Sequence, residues 1–310
     1  MFKYLASLAL IIASILPAAG ENARINVATY NIRQQNGVDN AAGNGWERRA
    51  PIVAGLIRFH GFDIFGTQEG FRNQLDDIKA GLPGYDYIGA GRDDGKEAGE
   101  HSAIFYRTDL FDVVDHGDFW LSETPEKPGL GWDAVCVRIC TWGRFRHRPT
   151  GKELLFFNLH MDHVGTTARV ESAKLIKRKI DELGSELPVF LTGDFNVDQN
   201  SPSYATIIEG GKLTDSHDRS PFVYELNGTF NNYKTDGYTT SRIDHIFVSP
   251  NVEVERYGVL TDTYRTPEEA PSEVKTTDAP AELKIHRYAA RVPSDHCPVL
   301  TTVTFLSRIH

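Results

Sequence analysis

Leu187-Pro188-Val189-Phe190-Leu191-Thr192-Gly193-Asp194-Phe195-Asn196 is an apolar, strand-like run that ends on an acid and an amide. Two other stretches are built on the same plan. In Arg242-Ile243-Asp244-His245-Ile246-Phe247-Val248-Ser249 the acid stands at the head of the apolar run. Ser294-Asp295-His296 leads directly into another, residues 297–305 (CPVLTTVTF). Hard oxygen ligands or a histidine, delivered by strand ends far apart in sequence, are a common way to build a catalytic floor.

Outward from these stretches the chain mixes strands and helices. Residues 24–30 (RINVATY) alternate as a strand that ends at Asn31. Residues 46–59 repeat Trp46, Ala50, Val53, Leu56 and Ile57 at helical spacing, and Gly61 closes the helix. Residues 62–66 form a short buried strand ending near Glu69, and strand, helix, strand in this order indicates an α/β layer. Residues 71–80 predict a second helix, stopped by Gly81 and Pro83. Residues 85–90, 102–107, 111–115 and 119–121 read as successive short strands. Residues 134–145 and 153–160 read as a hairpin about Arg148-Pro149-Thr150-Gly151, and residues 166–183 as a helix closed by Gly184. Strands follow at 243–248 and 252–260. Residues 263–293, rich in Pro, Glu, Thr and Ala, predict a long loop just before Asp295. It is either a rim or lid over the site or a solvated surface excursion.

The first twenty residues have the form of a secretory signal: Lys3, an apolar stretch from Leu5 to Leu16, then Pro17-Ala18-Ala19-Gly20. The apolar stretch falls short of the ~20 residues a membrane span needs, so a retained anchor is the weaker reading. The expected protein is secreted or periplasmic, monomeric, and without a transmembrane segment once processed. No repeat or linker divides residues 21–310, which predicts one large domain. Removing Lys3 with the signal takes the formal charge from −9 to −10, which argues against a broad basic face for long nucleic acid. Cys136 and Cys140, placed on one strand, would lie about 13 Å apart at about 3.3 Å per residue, too far for a bridge. With Cys297 they read as three buried thiols.

The polar groups at strand ends are Asn31, Glu69, Glu100, His160, Asp194, Asn196, Asp244, Asp295 and His296. A set dominated by carboxylates and carboxamides suits Mg²⁺, Mn²⁺ or Ca²⁺, whereas zinc favours His and Cys. Phosphoryl transfer asks a protein for a positioned nucleophile and positive charge on the transferring oxygens. Arg138 clamps phosphate if it faces the cleft and is otherwise a surface arginine. Asp162 and His163 either line the substrate pocket or pack nearby. His245 points away from Asp244, and Trp46, Trp132 and Trp142 read as core.

Asn31, Gln68-Glu69, Gly193-Asp194-Phe195-Asn196, Arg242-Ile243-Asp244 and Ser294-Asp295-His296, in that order, resemble the endonuclease/exonuclease/phosphatase superfamily. It includes deoxyribonucleases, abasic-site endonucleases, neutral sphingomyelinases, inositol polyphosphate phosphatases and deadenylases. The resemblance implies an α/β fold: a four-layer α/β sandwich whose two central, mostly antiparallel sheets are flanked by helices. It implies Glu69 as a principal metal ligand, with Asn31 and Asp295 near the metal. Asp194 and Asn196 orient the water and the phosphate. His296 is a general base or phosphate binder held by Asp244, and His160 a second histidine held by Glu100. The abasic-site branch lacks that second histidine.

A carboxylate beside each histidine would fix its tautomer and stabilise its charged form. The expectation is a magnesium-dependent hydrolase of a phosphodiester or phosphomonoester on a sugar, a lipid head group or a glycan, with Arg138 and His163 binding substrate. A secreted nuclease of the deoxyribonuclease type and a non-catalytic binding module on the same fold are the alternatives. The separate residues also have blander readings. Asp194 and Asn196 would cap a turn, His296 would sit at a strand edge, Glu100 would be one more solvated acid, and Asn31 would form a turn.

Overall fold

The computed structural model describes residues 23–184, 186–267, 273–274, 278, 280 and 282–305; the expected signal at residues 1–20 lies outside them. The strands are β1 (Ala23–Asn31), β2 (Ile64–Gln68), β3 (Tyr85–Ile88), β4 (Ile104–Arg107), β5 (Phe111–Trp120), β6 (Ile139–His147), β7 (Glu153–His160), β8 (Val189–Asp194) and β9 (Thr214–Asp215). They continue as β10 (Val223–Tyr224), β11 (Asp244–Val248), β12 (Val252–Val259), β13 (Tyr264–Pro267), β14 (Glu273–Val274), β15 (Ile285–His286), β16 (Tyr288–Arg291) and β17 (Val299–Phe305). The helices are α1 (Gly37–Ala41), α2 (Trp46–His60), α3 (Arg72–Gly81), α4 (Thr166–Gly184), α5 (Pro202–Ile208) and α6 (Ser216–Arg219).

One sheet runs β10-β12-β17-β1-β2-β4-β3 and the other β5-β6-β7-β8-β11-β9. The pairs β1–β2, β10–β12 and β7–β8 are parallel. The remaining neighbours in both sheets are antiparallel.

Side-chain alternation sorts these strands into layers. On β1, Ile25 and Val27 join a core with Phe156, Phe190 and Ile246 from the other sheet. The intervening Ala28 and Tyr30 pack outward with Val53, Ile57 and Leu75 of α2 and α3. On the other sheet Phe157, Leu191 and Phe247 face outward onto Ala173, Ile176 and Ile180 of α4. The three cores are the three boundaries of an α/β/β/α sandwich.

The layer between the sheets changes character along its length. Beyond Ile25 and Val27 the same face of β1 carries Thr29 and then Asn31; β7 runs Leu154, Phe156, Asn158, His160, and β8 runs Phe190, Thr192, Asp194. A buried amide seam lies in the middle. Asn158 Nδ2 donates to the Thr67 carbonyl at 2.8 Å and the Ala103 carbonyl at 2.9 Å. Its Oδ1 accepts from Gln68 Nε2 at 2.7 Å and Thr192 Oγ1 at 3.1 Å. Gly66 lets the sheets close here, since a Cβ on it would stand 2.1 Å from Asn158 Oδ1. Asn158→Leu would take a donor from the Thr67 carbonyl and an acceptor from Gln68 Nε2, and would leave the Ala103 carbonyl only its bond from the Thr67 amide. It should destabilise the fold by about 3–4 kcal/mol in denaturant unfolding, and a loss below about 1 kcal/mol would contradict the seam's role.

Several elements differ from expectation. Residues 111–115 and 119–120 belong to a single strand, β5, whose pairing with β6 is interrupted by a bulge between Val113 and Asp115; Leu121 lies just beyond it. The expected strand from residue 134 begins only at Ile139, so Cys136 and Arg138 lie in the loop before β6. That takes the two cysteines off a shared strand, and Cys136, Cys140 and Cys297 are all free thiols, Cys136 only half-buried. Residues 263–293 hold a two-stranded ribbon, with Tyr264 to Pro267 pairing antiparallel to Arg291 to Tyr288. Arg291 fastens the ribbon to the α1–α2 connection through the Ala42 carbonyl and Asn44 Oδ1. No described helix is long and apolar enough to cross a membrane.

Candidate active site

The parallel strands all end on one rim of the sandwich, and the chemistry sits there. Asn31 closes β1, Glu69 follows β2, His160 closes β7, Asp194 closes β8 and Asp244 opens β11. The Ser294-Asp295-His296 turn comes down beside them just before β17. Glu69 and Asn196 adopt left-handed backbone (φ 66° and 51°), as does Arg33 (φ 57°). Such strain is stored where geometry matters more than local comfort.

Nine of the expected residues line one cleft of about 460 Å³: Glu69, Glu100, Arg138, His160, His163, Asp194, Asn196, Asp295 and His296. The other two, Asn31 and Asp244, stand directly behind it. Asn31 Nδ2 bridges Glu69 Oε1 at 3.0 Å and Asp194 Oδ2 at 2.9 Å, while its Oδ1 accepts from the Arg33 amide at 3.0 Å. Asp244 Oδ2 meets His296 Nδ1 at 2.8 Å.

Arg49 of α2, fully buried, clamps two segments of this floor together. Its guanidinium donates to the carbonyls of Ile32 at 2.7 Å, Arg33 at 3.0 Å and Pro293 at 3.1 Å. Asn31 and Asp295 are thereby carried on segments held by one side chain.

At one end the acids crowd. Glu69, Asp194 and His296 each offer a ligand atom within 4.8 Å of the others. Burial, reinforced by the charge of Asp244, pushes Asp194 up to about 7. Burial also raises Asp295, with Glu69 adding to it. Arg33 is the nearby cation, 3.8 Å from Glu69 Oε2 and 3.6 Å from Asp295 Oδ2. Buried carboxylates under mutual repulsion, presenting hard oxygens, fit a divalent cation.

A second group, Cys136, Asp162 and His163, is equally close-set. It fits a metal poorly. Asp162 already accepts four backbone N–H bonds, from Val135, Cys136, Val164 and Gly165. A guanidinium nitrogen of Arg138 also lies 3.2 Å from His163 Nδ1.

The two histidines are in opposite states. Burial alone would pull His296 down, but Asp244 and Asp194 outweigh it and hold the ring well above the usual imidazole range. His160 is held well below that range by burial and then by Arg138 and Arg92. The expected Glu100–His160 pair is present only as a 3.8 Å approach, without a hydrogen bond. Glu100 Oε2 bonds Arg92 at 2.5 Å and stays 3.8 Å from His160 Nδ1, which has no hydrogen-bond partner among the described residues. Two arginines outbid one imidazole for a carboxylate whose own charge burial disfavours. His160 Nε2 instead meets Asn196 Nδ2 at 3.0 Å, and Asn196 Nδ2 also donates to the Met161 carbonyl.

Arg138 is buried and faces the cleft; its Nε and Nη1 lie 3.9 Å from Asp162 and Glu100, respectively, and have no hydrogen-bond partner among the described residues. His245 packs away from the site against Phe195 and Tyr204. The cleft also holds residues the sequence did not single out: Arg33, Gln34, Arg92, Cys136, Phe230 and Asn232. The nearest signal was position, since Arg33 and Gln34 directly follow the Asn31 strand end. Phe230 leans edge-on to His296, ring centroids 5.0 Å apart. No ribbon residue lines the cleft, so the described part of residues 263–293 forms no lid over it.

A profile of the Endonuclease/Exonuclease/phosphatase family matches residues 28–296. The solved structure of a Bacteroides thetaiotaomicron mannosyl-6-phosphatase is 57% identical, with a TM-score of 0.84 over 91% of this chain and 100% of that one. A family protein from the same organism is 56% identical, with a TM-score of 0.85 over 92% of this chain and 99% of that one. An uncharacterized protein of Acanthamoeba polyphaga mimivirus is 28% identical over 49% of this chain. The matches span 60% of that protein and 37% of a second mimivirus relative.

Proposed function

The chain belongs to the endonuclease/exonuclease/phosphatase family, and from that premise we propose that it is an exported, monomeric phosphatase that removes a terminal phosphate from a sugar. Enzymes of the family hydrolyse phosphoester bonds and generally use divalent metal ions. The observation that carries the reading is the far end of the cleft. There Arg138 is buried with two donors unspent, and Arg92 and His163 stand beside it. A dianionic monoester gains more from that arrangement than a monoanionic diester. The 57% identity to a mannosyl-6-phosphatase supports a hexose phosphate as the ester, with the hexose as leaving group.

Glu69, with Asn31 and Asp295 close by, would hold Mg²⁺, or Mn²⁺ or Ca²⁺ in its place, which would supply positive charge to the phosphoryl oxygens. The protein's own groups do the rest. Asp194, raised by burial, accepts the proton of the attacking water. Its Oδ1 accepts from the Asn196 amide at 2.9 Å, which fixes the turn that presents the Asn196 side chain. His296, charged, donates to a phosphoryl oxygen, and Arg138 donates to another. His160 accepts from Asn196 and keeps that amide aimed. The new P–O bond to water forms as the P–O bond to the sugar breaks; the departing sugar oxygen takes a proton from solvent as Asp194 returns its own, releasing inorganic phosphate and the free hydroxyl.

Mannose 6-phosphate, a bis-aryl phosphodiester and linear DNA, each with Mg²⁺ and with chelator, test this. The monoester should be turned over at least about a hundredfold faster than either diester, with chelator abolishing the rate. A preference for DNA would sink the phosphatase reading in favour of a nuclease. Metal binding without any turnover would favour the binding module.

A further inference from the structure

Next to the catalytic cleft is a second concavity of about 370 Å³, lined by Gln35, Asn36, Gly37, Asn40, Trp46 and Glu47. The two meet along the backbone, since Gln34 lines the cleft and donates its amide to Glu69 Oε2 at 3.1 Å. We propose that this pocket is a neutral-sugar subsite, which holds the glycan unit next to the phosphorylated residue. The proposal rests on the sugar-phosphate reading above.

Its chemistry differs from that of the cleft. No lining residue is basic, so it offers nothing to a second phosphate. Three amides and one carboxylate instead provide neutral donors beside acceptors, which suits hydroxyl groups that do both. Those groups are partly unspent. Asn36 is spent on Asp39 and the Gln34 carbonyl, but the side chains of Asn40 and Glu47 make no hydrogen bond or ion pair among the described residues. Gln35 shares one acceptor and one donor with Asn73, at 3.0 and 3.4 Å, and keeps further capacity.

The pocket is also firmly built. Trp46 is buried at its edge, its Nε1 bound to Asp77 Oδ2 at 2.8 Å and its ring 5.2 Å from the Arg49 guanidinium. The connection between α1 and α2 is tied to the ribbon by Arg291. The volume falls in the range of small-molecule sites and matches one or two sugar rings better than a long polymer.

The test is chain length. Rates are compared on mannose 6-phosphate and on 6-phosphorylated manno-oligosaccharides of two and three units. The wild type should favour the longer substrates by about tenfold in kcat/KM. Asn40→Ala and Gln35→Ala should remove that preference through KM, with the monosaccharide rate as the internal control. Gly37→Tyr should do the same by filling the pocket, since a Cβ at Gly37 meets nothing within 4 Å. Equal wild-type rates at all lengths would overturn the subsite and leave the phosphatase reading intact. A preference that survives all three substitutions would overturn this location. Failure to cleave any of these sugars, with another phosphate ester cleaved, would overturn the sugar reading and the subsite with it.

Discussion

Glu69→Gln should lower kcat/KM on the preferred phosphate ester by on the order of 10³-fold, and added Mg²⁺ or Mn²⁺ should not restore it. The substitution is nearly isosteric, so the left-handed backbone at residue 69 and the fold are kept. What it removes is the negative charge. Glu69 is gripped by the Asn31 side chain and the Gln34 amide, both of which orient its oxygens towards the cleft. An amide there would present a weaker donor to a cation and would force one N–H against a group that itself donates. Calorimetric titration with Mn²⁺ should show the binding isotherm lost along with the rate. Wild-type metal affinity combined with a lost rate would mean that Glu69 acts on water or substrate and not on metal.

The second large effect is expected at Asp244, which stands behind the cleft and does not line it. Asp244→Asn should cut kcat by about 10²–10⁴-fold and change KM little, because it acts through His296. Asp244 and Asp194 hold His296 charged against the pull of burial, and Asp244 Oδ2 also orients the ring through Nδ1. An amide keeps the shape but withdraws the buried anion that the imidazolium needs. Steady-state kinetics beside a thermal melt separates this from unfolding. An unchanged kcat would remove His296 from the chemistry. A collapsed melting temperature would place Asp244 in stability instead.

Much of this arrangement is legible in the sequence because strand parity is strict. Ile25, Val27, Thr29 and Asn31 occupy alternate positions, as do Leu154, Phe156, Asn158 and His160. Reading the polar residue at the end of each series already places it on the face that carries the inner core. Asp194 and Asp244 follow the same rule from opposite directions, and β8 and β11 pair them directly. Parity says nothing about loops, and there the reading thins. Arg92 and Glu100 bracket a turn-rich segment, and only the fold shows that Arg92 takes the hydrogen bond of the carboxylate that the family resemblance assigned to His160. Arg33 is invisible for the same reason, since a flexible arginine one turn from a strand end can reach several partners. The bulge in β5 hid its continuity, because Asp115-His116-Gly117 has the composition of a turn.

The amide seam beneath the floor has a consequence for how such a protein changes over generations. Asn158, Gln68, Thr29 and Thr192 lock the two sheets in alignment one step below the reacting groups. The cleft residues are carried above that lock, on strand ends and on the segments between them. Lineages can therefore exchange whole rim segments, and with them their diet of esters, without renegotiating how the halves of the sandwich meet.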